Sequence, residues 1–340
     1  MIGNSVGPIV LIDGHNTFIR NYVRSPYTND NGERMGGLTG MIISVRKIIN
    51  DFRPNNVLIV WDGQGGSQRR KTIYKEYKEG RNVHLNVNEN ENFQETPEQR
   101  LENMRKQRQL SEDYLTLLGV PQIKCDGVEA DDIIAYISRK MNHDVNCIIV
   151  STDQDMLQLI QGNEALGDDG VITKQSEVLV YSPIKKILYD KKTFISEYSV
   201  LPENFRLVKS ITGDKSDNIE GITGFGLKTI IKSFPNLCDK ILLPNDILEA
   251  AADMKSQAAK NLCSNKDRFF QNLLLMDLSN PLLSATAARE SRITLDSELK
   301  MKEIEFRVKI SKDNITFGGK DFLSPFREFC IRRKKYLSKP

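Results

Sequence analysis

No run in this sequence approaches the roughly 20 consecutive apolar residues that a membrane-spanning helix needs. Cysteine is scarce: Cys125, Cys147, Cys238, Cys263 and Cys330 are odd in number, scattered and without a C-x-x-C pair. That excludes a disulfide framework and a thiolate zinc site. The histidines, His15, His84 and His143, are too few and too dispersed for a His-rich metal site. Serine-hydrolase, P-loop and Rossmann glycine signatures are also missing. The start, Met-Ile-Gly-Asn-Ser-Val-Gly-Pro, has no basic region ahead of its short apolar run, which ends at Asp13, so it does not read as a signal peptide. A cytoplasmic protein is expected.

The 340 residues suggest about two domains. Hydrophobic residues at 39% and charged residues at 27% are ordinary for a folded chain. Short apolar runs at 9–12, 57–61, 123–125 and 147–150 read as buried strands of an α/β, mostly parallel sheet flanked by helices, with 177–181 as a late or edge strand. Helical spacing covers 37–52. Thr96-Pro97-Glu98 caps a helix running towards Leu118. Helices are also expected from Gly127 to about Met141, buried through Ile133, Ile134, Ile137 and Met141, and after Ser151-Thr152-Asp153-Gln154-Asp155, to about Gln161. Residues 64–110 form a solvated excursion, basic in its first part. From about Pro183 the strands are expected to stop and short helices with Gly- and Asn-rich turns to take over, to about residue 284.

Acids follow the strands: Asp13, Asp62, the Glu129-Ala130-Asp131-Asp132 group and Asp153. Carboxyl ends of parallel strands share one edge, where ligands bind. With Asp155, Asp214 and Asp217 added, nine carboxylates are candidates for one basin. Any single one reads equally well as a turn residue or helix cap, but the set demands cations, because clustered carboxylates repel. All-oxygen ligation selects a hard ion, Mg²⁺ or Mn²⁺, and two such ions can hydrolyse a phosphodiester. Without these acids the chain keeps 48 basic against 36 acidic residues, a body at about +12 suited to nucleic acid.

The motifs Asp13-Gly14-His15-Asn16, Trp61-Asp62-Gly63, Arg70-x-x-x-Tyr74-x-x-Tyr77-Lys78-x-x-Arg81, Gly127 to Asp132, Ser151 to Asp155, Thr212 to Ile219 and Gly221 to Gly226 together resemble the flap endonuclease and 5′ nuclease family. The likeness is strongest to its stand-alone phage members, including phage ribonuclease H, and spans about residues 8–280. It implies a PIN-like nuclease domain (1–183) with a helical arch at about 64–110. A helix-three-turn-helix DNA-binding module (184–284) and a helical extension with a basic tail (285–340) would follow. It gives Asp13, Asp62, Glu129 and Asp131 to a first Mg²⁺, and Asp153, Asp155, Asp214 and Asp217 to a second, with Asp132 between them.

By the same resemblance, Lys78 and Arg81 hold the scissile phosphate. Arg70, Tyr77, Gly221, Gly224, Gly226, Lys228 and Lys232 contact DNA, and K⁺ sits at the hairpin turn. The implied activity is Mg²⁺-dependent removal of RNA primers or 5′ flaps from duplex by a monomeric, phage-encoded enzyme. The tail with Phe326, Phe329, Arg332, Arg333, Lys334 and Lys335 is read as a docking surface for a single-strand-binding protein or sliding clamp, against the rival of a helix packed on the body. A PIN-type ribonuclease cutting free RNA and a catalytically silent junction-binding scaffold remain alternatives.

Overall fold

The computed structural model describes residues 7–79, 95–141, 145–162, 164–166, 172–174, 176–319 and 321–338. The chain is α/β with mostly parallel strands flanked by helices, as expected. It divides into two units: residues 1–62, 84–124 and 285–340, and residues 63–83 and 125–284.

In the first unit, β1 (Ile9–Asp13) pairs in parallel with β2 (Asn56–Trp61), and β2 with β3 (Gln122–Lys124). Every residue of β1 and β2 is buried, which is why they appear in sequence as unbroken apolar runs. Helix α1 (Gly14–Arg24) starts directly after Asp13, whose carboxylate caps it by accepting from the Asn16 amide at 3.0 Å. Gly14 is required there, since a Cβ would meet the Trp61 ring at 2.7 Å. The first-turn amides of α2 (Gly36–Phe52) donate to the buried Gln107 side chain, from Gly37 at 2.8 Å and Leu38 at 3.1 Å. Gln107 belongs to α4 (Pro97–Leu117), which begins at the Thr96–Gln99 capping box with Pro97 in its first turn.

The C-terminal helices of this unit are α12 (Ala285–Asp296), α13 (Glu303–Lys312) and α14 (Ser324–Leu337). They correct the docking-tail reading. Phe326 and Phe329 are fully buried, and the guanidinium of Arg333 lies inside, donating to Asn56 Oδ1 at 2.7 Å and Leu295 O at 3.1 Å. Aromatic anchors already packed into their own unit leave none for a partner.

In the second unit, α3 (Gln68–Ile73) precedes α5 (Ala130–Ala135), which runs on into a wide π turn at 136–140. β4 (Cys147–Val150) leads into a 3₁₀ segment at 154–159, shorter and tighter than the expected helix. β5 (Glu164–Leu166) and β6 (Ile172–Lys174) pair as antiparallel strands. β7 (Val178–Ser182) lies parallel to β4, and β8 (Ile187–Tyr189) pairs antiparallel to β7. Strands therefore do not stop at Pro183. The chain reverses through Lys186, whose φ of 57° is left-handed, and a three-residue half-exposed strand leaves too little pattern to read.

Helices α6 (Lys191–Tyr198), α7 (Phe205–Thr212), α8 (Leu227–Ser233), α9 (Pro244–Ala252), α10 (Gln257–Ser264) and α11 (Lys266–Met276) follow, interrupted by the short antiparallel pair β9 (Gly213–Asp214) and β10 (Ile219–Glu220). Buried Asn272 of α11 ties that hairpin down, donating to Ser210 O at 2.9 Å and Glu220 O at 2.8 Å. Among the described residues no helix is long and apolar enough to cross a membrane.

Candidate active site

In the first unit, Asp13 ends β1 opposite Val60, and Asp62 follows β2, so both acids leave the sheet at one edge. Asp13 is buried.

The second unit brings the remaining acids together in two groups. Gly63 and Gly127 shape the approach to the first. A Cβ on Gly63 would sit 1.7 Å from Cys125 O, and Gly127 has a φ of 73°. This tight crossing delivers Glu129 as the N-cap of α5, with Asp131 and Asp132 in its first turn. Glu129 is buried and thrice held: Arg70 Nη1 donates to Oε2 at 2.7 Å, Tyr77 Oη to the same oxygen at 3.1 Å, and Lys78 Nζ to Oε1 at 2.5 Å. Arg70 also grips Asp132, while the Tyr77 hydroxyl reaches Asp217 Oδ2 at 3.2 Å. Asp217 thus shares the Tyr77 hydroxyl with Glu129.

In the second group, Lys209 Nζ lies 3.0 Å from Asp155 Oδ1 and 2.7 Å from Asp214 Oδ2. Asp153 folds its carboxylate back onto the Asp155 amide at 2.9 Å. Asp214 Oδ1 accepts from the Ser216 amide at 2.8 Å and hydroxyl at 2.6 Å.

Electrostatics follow this geometry. Burial pushes the Asp155 carboxyl up to about 7, with Asp153 adding to the rise and Lys209 opposing it. The Asp214 carboxyl, though burial raises it, is held below its ordinary value by Lys209 and Ser216. Burial lifts the Tyr77 hydroxyl far above its usual range, reinforced by Glu129 and Asp217. Lys78 is raised as well, because Glu129, Asp217 and Asp131 outweigh the burial that disfavours its charge.

Two expectations need correcting. Tyr77 is 3% exposed with its hydroxyl committed to two carboxylates, so its ring is not open to stack on a base. Arg70, 4% exposed, spends its guanidinium on Glu129, Asp132 and the Leu275 carbonyl, not on a phosphate. Lys78 is placed among the acids in a left-handed conformation, φ 56°, fixed by its amide donating to Asp217 O at 2.9 Å. Arg81 lies outside the described residues. Sequence reasoning missed Lys209. Its only signal was a lysine inside the apolar run of α7, five residues before Asp214.

The turn at 221–226 joins β10 to α8, where a hairpin between two helices was expected. Gly221 is pressed so close that a Cβ would meet Thr212 O at 2.1 Å, and Gly224 takes a φ of 98° against Ala258. Gly226 caps α8, on which Lys228 and Lys232 are both exposed.

Among the described residues of the second unit the seven acids offer only oxygen, and four of them, Glu129, Asp132, Asp155 and Asp214, pair with Arg70, Lys78 and Lys209. Clustered carboxylate oxygens of that kind fit a hard divalent ion. As the side chains stand, no three His, Cys, Asp or Glu among the described residues are grouped to hold one ion.

Known proteins bear on the same region. Residues 8–198 match the family described as 5′-3′ exonuclease, N-terminal resolvase-like domain. The 5′-3′ exonuclease of Buchnera aphidicola subsp. Schizaphis graminum is 28% identical over 236 residues, covering 68% of this chain and 71% of that protein. Its counterpart in Aquifex aeolicus is 27% identical over 225 residues, covering 66% and 67%. In fold, the T5 D15 protein co-crystallised with metal ions superposes with a TM-score of 0.60 at 21% identity, over 91% of this chain and 100% of that one. Flap endonuclease-1 from Methanococcus jannaschii gives 0.59 at 14% identity, over 97% and 94%. With more than half its length matching the family, the chain belongs to the 5′-3′ exonucleases with an N-terminal resolvase-like domain, which are nucleases that hydrolyse phosphodiester bonds.

Proposed function

We propose that this protein is a Mg²⁺-dependent, structure-specific 5′ nuclease that trims 5′ flaps or RNA primers from duplex during replication or repair. The observation that carries the reading is two groups of carboxylates, tied among the described residues to Arg70, Lys78 and Lys209, in a member of this family.

Glu129, Asp131, Asp132, Asp153, Asp155, Asp214 and Asp217 are the residues that would hold divalent ions, and Asp13 and Asp62 keep that assignment in their own unit. Bound there, Mg²⁺ would make a water easier to deprotonate to the hydroxide nucleophile and would supply charge to stabilise the leaving oxygen. The chain's own residues do the rest. Lys78, held at Glu129, exchanges that partner for a phosphate oxygen of the substrate. Tyr77 and Arg70 keep Glu129, Asp132 and Asp217 in place from behind. Lys228 and Lys232 on α8 receive duplex backbone, a contact that carries no sequence information. K⁺ at the Gly221–Gly226 turn is part of the proposal. A labelled 5′-flap duplex incubated with and without Mg²⁺, beside single-stranded RNA, tests it. Metal-dependent release from the flap's 5′ side is expected. Cleavage of the free RNA alone, or no cleavage of either, would overturn it.

A further inference from the structure

We infer that Lys209 is a built-in counter-ion that competes with a divalent ion for Asp155 and Asp214, and so sets how tightly the second group of acids takes that ion up; this rests on the nuclease reading above. Lys209 lies on the buried side of α7, between Val208 and Ser210. Its side chain is only 11% exposed, so the ammonium has given up most of its water. In exchange it has Asp155 Oδ1 at 3.0 Å and Asp214 Oδ2 at 2.7 Å, on side chains 15% and 17% exposed. Asp155 comes from the 3₁₀ segment after β4 and Asp214 from β9, and the ammonium bridges them.

Two further oxygens of the group face their own loops. Asp153 Oδ1 accepts from the Asp155 amide at 2.9 Å, and Asp214 Oδ1 from the Ser216 amide at 2.8 Å and hydroxyl at 2.6 Å. With Asp155 and Asp214 turned to an ammonium and Asp153 to an amide, no three acids of the described residues converge on one point. Lys209 therefore does two things. It holds two half-buried carboxylates near each other that would otherwise repel, and it keeps them from acting as a ready-made ligand set. A divalent ion placed on the same two oxygens would meet a like charge a few ångströms away in a poorly hydrated place, where repulsion is strong. Taking up the ion thus requires the ammonium to withdraw, which the flexible four-carbon stem of a lysine permits without moving its helix.

The test is a titration of the full chain, stripped of metal and without DNA, with Mn²⁺, following the free ion by electron paramagnetic resonance and reading the melting temperature with and without Mn²⁺. Lys209→Met and Lys209→Gln remove the charge, and Lys209→Arg keeps it. Both neutral variants should melt below wild type without metal and recover with Mn²⁺, and one Mn²⁺ site should tighten by at least about tenfold. Lys209→Arg should bind Mn²⁺ no more tightly than wild type. Neutral variants that fold only when Mn²⁺ is present would also support the competition, because the ion then replaces the ammonium. If Lys209 merely braces α7, the neutral variants lose stability that Mn²⁺ does not restore and bind it with unchanged or weaker affinity, and the assignment falls. Equal tightening in Lys209→Arg would trace the effect to loosened packing and overturn it too. Wild type that binds no Mn²⁺ removes the divalent-ion reading together with this one. Wild type that binds Mn²⁺ and cleaves a flap duplex with it, beside neutral variants of unchanged affinity, removes only the role of Lys209.

Discussion

Arg70 holds Asp132 by both ends of its guanidinium, Nη1 2.7 Å from Oδ2 and Nη2 3.1 Å from Oδ1. Both side chains are almost wholly buried, at 5% and 2% exposed. Removing one partner strands a buried charge, which costs about 3–5 kcal/mol. Arg70→Ala should therefore lower unfolding stability in urea by that order, and the loss should persist when Mg²⁺ is withheld. A variant as stable as wild type would show that the pair does not hold the site together.

Asp131→Asn and Asp153→Asn change charge with hardly any volume. Each should reduce cleavage of a flap duplex by at least about a hundredfold, while leaving the melting temperature and metal-free duplex binding near wild type. Turnover close to normal in both variants would refute the divalent-metal site.

Asp155 gives a pH signature. Its carboxyl is raised from about 3.8 to about 7 in the folded protein, so its contribution to stability is complete below about pH 4 and is lost as pH rises through 7. In EDTA the melting temperature of wild type should fall across that interval. Asp155→Asn should flatten the fall, and Mg²⁺ should restore stability to wild type on the alkaline side. An unchanged pH profile in the variant would assign the fall to another group.

Lys228→Ala with Lys232→Ala should weaken duplex binding and make its salt dependence shallower by about 0.9 per lost phosphate contact, with little effect on turnover at saturation. Lys78→Ala should do the reverse, lowering kcat more than affinity. Steady-state kinetics and a salt titration of binding distinguish the two patterns.

Phe329→Ala should cost about 3–5 kcal/mol through the cavity it leaves, with activity on a bare flap retained at low temperature. A stability change within about 0.5 kcal/mol, the size of a surface substitution, would return Phe329 to the solvent-facing tail first expected.

β1 and β2 were legible because strands buried on both faces must be apolar throughout, and Asp13 and Asp62 stood out against those runs. Helix α1 was not, since its large apolar residues are confined to Phe18, Ile19, Tyr22 and Val23, of which only Phe18 and Tyr22 are buried. The acids were readable as a set, but the cations that hold them were not. Arg70 and Tyr77 sit in a sequence that looks solvated, and only tertiary packing with Glu129, Asp132 and Asp217 takes them out of water. Lys209 lies in an amphipathic helix whose pattern does not reveal that one cation of its buried face meets two carboxylates. α14 misled because its arginines and lysines suggested a free surface, whereas Arg333 is satisfied internally by Asn56 and Leu295.

That last arrangement has a bearing on how the protein is made. Asn56 of β2 finds its partners in Leu295, 239 residues later, and Arg333, 277 residues later. At about 5–20 residues per second, Arg333 is translated roughly 14–55 s after Asn56, and only then can the first unit close. Until that moment Asn56 lacks its Arg333 donor and the cover of α14, and the growing chain is exposed to proteases and chaperones. A ribosome that stalls or terminates before α14 should therefore release a degradable fragment rather than a shorter working nuclease.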